Sequence, residues 1–278
     1  MQSRAFLMAP ESLAHLLPLL EKLNDNQVGL VSDVAKQFTT PHKFTCAPFK
    51  LRNGMDLMTQ EIVDDLGDII RIHHAFSREA FSKDKFEYAL ERVQKLHKRD
   101  ADLAPRGNKG YDILVEGERF SLKTEASQNI RLDSIHISKF MELGGGEWTT
   151  NPADLEGLRQ QFIDHLNGYD HVLTLRRLKD TRDGWHSYEL VAIPKALLLL
   201  AAHGALEMKT ASKQNPRPGY CYIGDAGWAY TAGAKVNPKD LQFALYFDGG
   251  GERKLQIKHL KKSLGKVIAT WEFQSLSV

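Results

Sequence analysis

Past Ala101 the hydrophobic period of the chain changes from that of a helix to two, and no other feature restricts the fold as much. Pro105, Gly107, Asn108 and Gly110 make a loop. Residues 111–115 then form a strand, Glu116-Gly117 a tight turn and 119–124 the returning strand. A second hairpin follows at 171–178 and 187–193, with its turn at 180–184. Pro194, which needs no amide partner in a first helical turn, introduces a helix over 195–203. Shorter strands are expected at 220–223, 241–247, 254–257 and 267–273, and helices at 134–143, stopped by Gly144-Gly145-Gly146, and at 152–167.

The first hundred residues carry the helical period instead. Leu13, Leu16, Leu17 and Leu20 recur behind Ser12, and Ile62, Val63, Leu66, Ile69, Ile70 and His73 make a second stripe. A further helix over 83–98 lines up Phe86, Leu90, Val93 and Leu96 or His97. Between the first two lies a mixed stretch, 39–54, broken by Pro41, Pro48 and Gly54. Strands with helices on both sides in sequence predict an α/β fold with a central mixed β-sheet flanked by helices. We expect one catalytic domain over 1–278, with a helical portion at 1–100 and an α/β core at 105–278.

Composition bounds the partners. Thirty-seven Lys and Arg face thirty-five Asp and Glu, a formal charge of +2, so any basic surface arises from local segregation. Two cysteines, Cys46 and Cys221, are too few for a disulfide scaffold or a thiolate-built zinc site and point to a reducing, cytoplasmic setting. The N-terminus lacks a clean signal core, and the longest apolar run, 196–202, falls far short of the ~20 residues a membrane helix needs. No membrane association is expected.

Chemistry gathers on the first hairpin. Alternation puts Phe120 and Leu122 on one face of its second strand and Ser121, Lys123 and Glu125 on the other, while the tight turn folds this strand back beside Asp112. A carboxylate, an ammonium and a hydroxyl converging there suit phosphodiester hydrolysis. A hard divalent cation takes one or two carboxylate oxygens, and an adjacent lysine offsets the charge that develops on the phosphate. Taken singly each residue has a plainer reading. Glu87 and Glu125 are solvated surface charges in most chains, and Glu142 would sit in the last turn of its helix.

Asp112, the hairpin and Ser121-Leu-Lys123 resemble the PD-(D/E)XK nuclease superfamily, of which Type II restriction endonucleases are the largest group. The resemblance implies a restriction-endonuclease-like sheet, sequence-specific cutting of double-stranded DNA with Mg²⁺, and a homodimer. It makes Asp112 a metal ligand and Lys123 the catalytic lysine. Ser121 stands where that pattern has an acid, and would support the site by hydrogen bonding. The second carboxylate must come from elsewhere: Glu87 first, then Glu142, then Glu125. Tyr188 to Pro194 and the 247–258 segment look like further core elements of such enzymes.

Two other tasks stay open on this pattern. One is a repair or modification-dependent nuclease of the same fold. The other, because Ser121 replaces an acid, is an inactive DNA-binding module. Basic and amide groups that suit DNA are Lys209, Lys213, Gln214, Asn215 and Arg217 in a Pro-rich loop, together with Arg176, Arg253 and Lys258. Adjacent His73-His74 point apart on a helix and form no i, i+4 metal pair, and no Gly-rich phosphate loop is present.

Overall fold

The structure, a computed structural model, describes residues 10–105, 107–108, 110–127, 129–144, 148–180, 182–225, 228–231 and 233–276. Helices α1 (Pro10–Leu20) and α2 (Asp25–Thr39) precede strand β1 (His42–Cys46), and α3 (Gln60–Phe76) and α4 (Lys83–Leu96) follow. The strands β2 (Ala101–Leu103), β3 (Ile113–Val115), β4 (Glu118–Glu125) and β5 (Ser134–Glu142) lead to α5 (Asp154–Leu166). Then come β6 (His171–Leu178), β7 (Trp185–Ile193), α6 (Lys195–Leu199), β8 (Ala205–Met208), β9 (Gly219–Gly224), β10 (Leu241–Asp248), β11 (Lys254–Lys261) and β12 (Lys266–Gln274).

Seven strands form a mixed sheet in the order β1-β12-β7-β6-β4-β3-β2, in which the β4–β6 pair is parallel and the others antiparallel. A second, antiparallel sheet runs β5-β11-β10-β9-β8. The architecture is therefore mixed α/β, with a large mixed sheet and helices, as expected. Strand β4 is reached from β3 by a two-residue turn whose central residues both have positive φ, Glu116 at 51° and Gly117 at 77°. That backbone matches the twist of the flanking strands and fixes the register of the hairpin.

The large sheet is buried on both faces. Phe120 and Leu122 of β4 enter one apolar core with Ile62, Leu66 and Ile70 of α3 and Phe86, Leu90 and Val93 of α4. The opposite face, through Val172, Val191 and Ile193, joins a second core with Leu158 and Phe162 of α5 and Phe243 and Leu245 of the second sheet. Burial of such side chains stabilises the fold by about 1.5–3 kcal/mol each. The polar side of β4 thus looks inward toward α5 and β5.

Two expectations are corrected. The helix expected over 134–143 is instead the strand β5 (Ser134–Glu142): Ile135 and Ile137 alternate with half-buried neighbours, and β11 supplies the ladder that β-branched side chains favour. Gly145 and Gly146, expected to stop that helix, lie outside the described residues. Helix α2 went unread. It starts at a reciprocal cap in which Asn24 accepts from Gln27 N and the Gln27 side chain accepts from Asn24 N. Among the described residues no helix is long and apolar enough to cross a membrane.

Candidate active site

Asp112 precedes β3 and is held by the hairpin itself. Its backbone N–H donates to Phe120 O at 2.8 Å, and its carbonyl accepts from Ala104 N at 2.9 Å. The carboxylate then turns across the strands. Oδ2 accepts the Leu122 N–H at 2.6 Å and the Ser121 hydroxyl at 3.3 Å, and lies 4.0 Å from Lys123 Nζ. Oδ1 accepts from Lys83 Nζ at 2.7 Å.

Helix α4 delivers Lys83 and Glu87. Ser82 caps the helix by accepting from Lys85 N, so the two residues stand four apart near its start and project from the same side. Lys83 Nζ is 2.6 Å from Glu87 Oε1, and one ammonium therefore links Glu87 to Asp112. Burial pulls the Lys83 pKa down, but Asp112 and Glu87 outweigh it and leave it raised.

Lys123 is enclosed. Its side chain is 9% exposed, and its amine lies 5.2 Å from the centre of the Phe140 ring. Burial, opposed by the charge of Asp112, brings its pKa down to about 8. His165 of α5 adjoins: burial, aided by the Lys123 charge, lowers its pKa to about 4 and keeps the ring neutral. Tyr169 closes this side, with its hydroxyl pKa raised by burial and then by Asp112. Tyr169 Oη and Thr174 Oγ1 are buried without a hydrogen-bond partner, and Thr174 is the β6 residue opposite Lys123. Buried oxygens are normally satisfied, so two beside this cluster mark a place built for something besides the fold.

These atoms offer a hard cation two carboxylates with an amine alongside. Among the described residues no group of three or more His, Cys, Asp or Glu gathers to hold a metal. A site of this kind leaves most of the coordination sphere to water and phosphate, as Mg²⁺ accepts and a structural zinc does not.

The family model of the SmaI Type II site-specific deoxyribonucleases matches residues 16–273. The Type II restriction enzyme SmaI of Serratia marcescens is 38% identical over 259 residues, which are 93% of this chain and 96% of that protein. The chain belongs to the SmaI family of Type II site-specific deoxyribonucleases. It is an endonuclease acting on DNA at specific sequences, in a class that generally uses a divalent metal. No solved structure matches it.

Within this SmaI-family enzyme the expected site residues separate. Asp112, Ser121, Lys123 and Glu87 come together. Glu125 does not join them: Oε2 takes Arg176 Nε at 2.5 Å, and Oε1 takes the His136 N–H at 3.0 Å. Glu142 is on strand β5 with its side chain 74% exposed, ion-paired to Lys139 at 2.9 Å. Arg176, expected at DNA, is fully buried between Glu125 and Glu189 and donates to the carbonyls of Arg131 and Ser134, so no phosphate reaches it. The cause is register: Glu125 and Arg176 are direct partners across the parallel β4–β6 pair.

The remaining expected DNA residues lie on or beside the outer face of the second sheet. Lys209 and Lys258 flank stacked Tyr220 and Tyr222, whose ring centres are 5.2 Å apart, and Lys258 Nζ lies 3.7 Å from the centre of Tyr246. Gln214 is tied to Asp248 at 2.9 Å, as is Gln256. Lys213 and Asn215 are exposed, while Arg217 and Arg253 are half-buried. Sequence reasoning missed Lys83, His165 and Tyr169. Only Lys83 left a legible trace, its i, i+4 spacing to Glu87.

Proposed function

We propose that the enzyme hydrolyses the phosphodiester backbone of double-stranded DNA with Mg²⁺, at the pocket made by Asp112, Glu87 and Lys123. What carries this reading is the pinned geometry of Asp112: two hydrogen bonds from the Ser121-Leu122 segment fix Oδ2 4.0 Å from a buried lysine amine. Small displacements are costly in such chemistry, and a carboxylate held by backbone does not wander.

Asp112 and Glu87 would hold the cation, which when bound polarises the phosphoryl group and acidifies its water. Ser121 donates its hydroxyl to Asp112 and keeps that carboxylate aimed; it is a positioning residue and not a ligand. Lys123 holds its amine beside the attacked phosphate. With a pKa of about 8 it is charged often enough to offset the growing negative charge and neutral often enough to accept a proton at Nζ. His165 and Phe140 keep bulk water from the inner side of that amine.

Recognition falls to Lys209, Lys213, Gln214, Asn215 and Arg217 with Arg253 and Lys258: Lys and Arg for phosphates, Gln and Asn for base edges. Each chain brings one pocket, and cutting both strands calls for two, so the working unit is a homodimer. Exposed Leu17, Leu19, Leu30 and Val31 on α1 and α2 are apolar surface that a second copy covers. A monomer by sedimentation, with and without DNA, would refute that part. The chain acts as one catalytic domain, in the cytoplasm.

The test is cleavage of a plasmid carrying the recognition sequence, in Mg²⁺, by the wild type, Asp112→Asn and Lys123→Ala. Both variants lose on the order of 10²–10³-fold or more in rate while still binding duplex in Ca²⁺. Undiminished cutting by either one sinks the assignment.

A further inference from the structure

Lys83 is the first residue of α4, the end of a helix where a positive charge is disfavoured by the backbone dipole. Two carboxylates hold it there: Asp112 Oδ1 at 2.7 Å and Glu87 Oε1 at 2.6 Å. These are the two carboxylates assigned above to the metal, so the ammonium stands between the groups that would hold a cation. The charges already cancel without a metal, Asp112 and Glu87 against Lys83 and Lys123. A divalent cation added to this set leaves a surplus of two positive charges in a half-buried pocket, which is strongly unfavourable.

One of the lysines must therefore give way, and their surroundings differ. Lys123 is enclosed on the inner face of β4 beneath Phe140 and His165. Lys83 has 38% of its side chain exposed and a solvent route beside the start of its helix. We propose that Lys83 is a positioning residue that occupies the cation's place in the metal-free enzyme, keeps Asp112 and Glu87 from repelling each other, and withdraws when the metal enters. This inference rests on Asp112 and Glu87 being the metal ligands. The metal then binds weakly before DNA arrives, and a backbone phosphate offers the displaced ammonium a new partner.

Calorimetric titration with Ca²⁺, without DNA, separates the possibilities. Lys83→Met binds Ca²⁺ roughly tenfold or more tightly than the wild type, because the competing charge is gone. Lys83→Arg, which keeps the charge, does not. Asp112→Asn and Glu87→Gln lose binding, and thermal melts establish that each variant is folded. A second measurement needs no variant: in the wild-type enzyme, Ca²⁺ increases the rate at which Lys83 is acetylated by an amine-reactive ester, read by mass spectrometry. Unchanged affinity in Lys83→Met, or Lys83 acetylation indifferent to Ca²⁺, overturns the proposal while the metal-site reading stands. Normal Ca²⁺ binding by both Asp112→Asn and Glu87→Gln is a different failure: it removes the metal site, and the role of Lys83 with it.

Discussion

Lys123 and Glu125 stand two residues apart on the same face of β4, and each belongs to a cluster of acids and bases. Around Arg176 the cluster is closed. Glu125, Glu189 and two carbonyls take its guanidinium, Lys262 takes the other Glu189 oxygen at 2.7 Å, and none of the three side chains is left with an unpartnered atom. Around Asp112 the cluster is open: Lys123 approaches only to 4.0 Å, and the buried hydroxyls of Tyr169 and Thr174 lack hydrogen bonds. Acids and bases thus make a structural knot at one end of the strand and, at the other, the site proposed to be reactive. What separates them is whether the polar atoms are used up within the fold.

Substituting one lysine and one arginine tests that contrast. Lys123→Met removes cleavage almost completely and leaves the protein folded, because a buried amine with incomplete partners is replaced by a chain of similar length. Arg176→Met does the reverse. It strands two buried carboxylates and costs about 3–5 kcal/mol of stability, read in urea melts, with activity lost only as the protein unfolds. Comparable stability losses in both variants would erase the distinction.

A smaller effect follows from proton linkage. The Lys123 amine titrates near 8 when folded and near 10.5 when free. Between those values the unfolded chain holds a proton that the folded one has released, so this group makes stability rise with pH across that window, and below it the burial penalty applies in full. In metal-free melts the wild type should gain on Lys123→Met as the pH is raised from about 8 to about 10. A constant difference between the two would mean that the amine is not confined as described. The smallest effect is expected at Glu142. Exposed on β5, it should tolerate Glu142→Gln with stability within about 0.5 kcal/mol and unaltered cleavage, whereas Glu87→Gln impairs cleavage severely.

Much of this was legible because it depends on local period. The alternation of Phe120, Ser121, Leu122 and Lys123, with two residues at the turn, was enough to lay the strand beside Asp112. The same alternation grouped Glu125 with Lys123, since it reports which face a side chain takes and not what lies across the sheet. The arginine that claims Glu125 arrives from β6, some fifty residues later, through a parallel pairing that no local pattern announces. Residues 134–143 misled for a related reason: their strand character comes from pairing with β11, more than a hundred residues away. His165 lies near Lys123, and Tyr169 near Asp112, only because α5 and the turn after it come over the polar side of β4. Glu87 could be named from its place before the hairpin, but its link to Asp112 runs through Lys83 and needed coordinates.

The position of Mn²⁺, located by its anomalous scattering in crystals of the enzyme with cognate duplex, tests the assignment most directly. The ion should lie within coordination distance of carboxylate oxygens from both Asp112 and Glu87, with Lys123 facing the scissile phosphate. An ion held by Glu125 or Glu142, or seated away from Asp112, would contradict it.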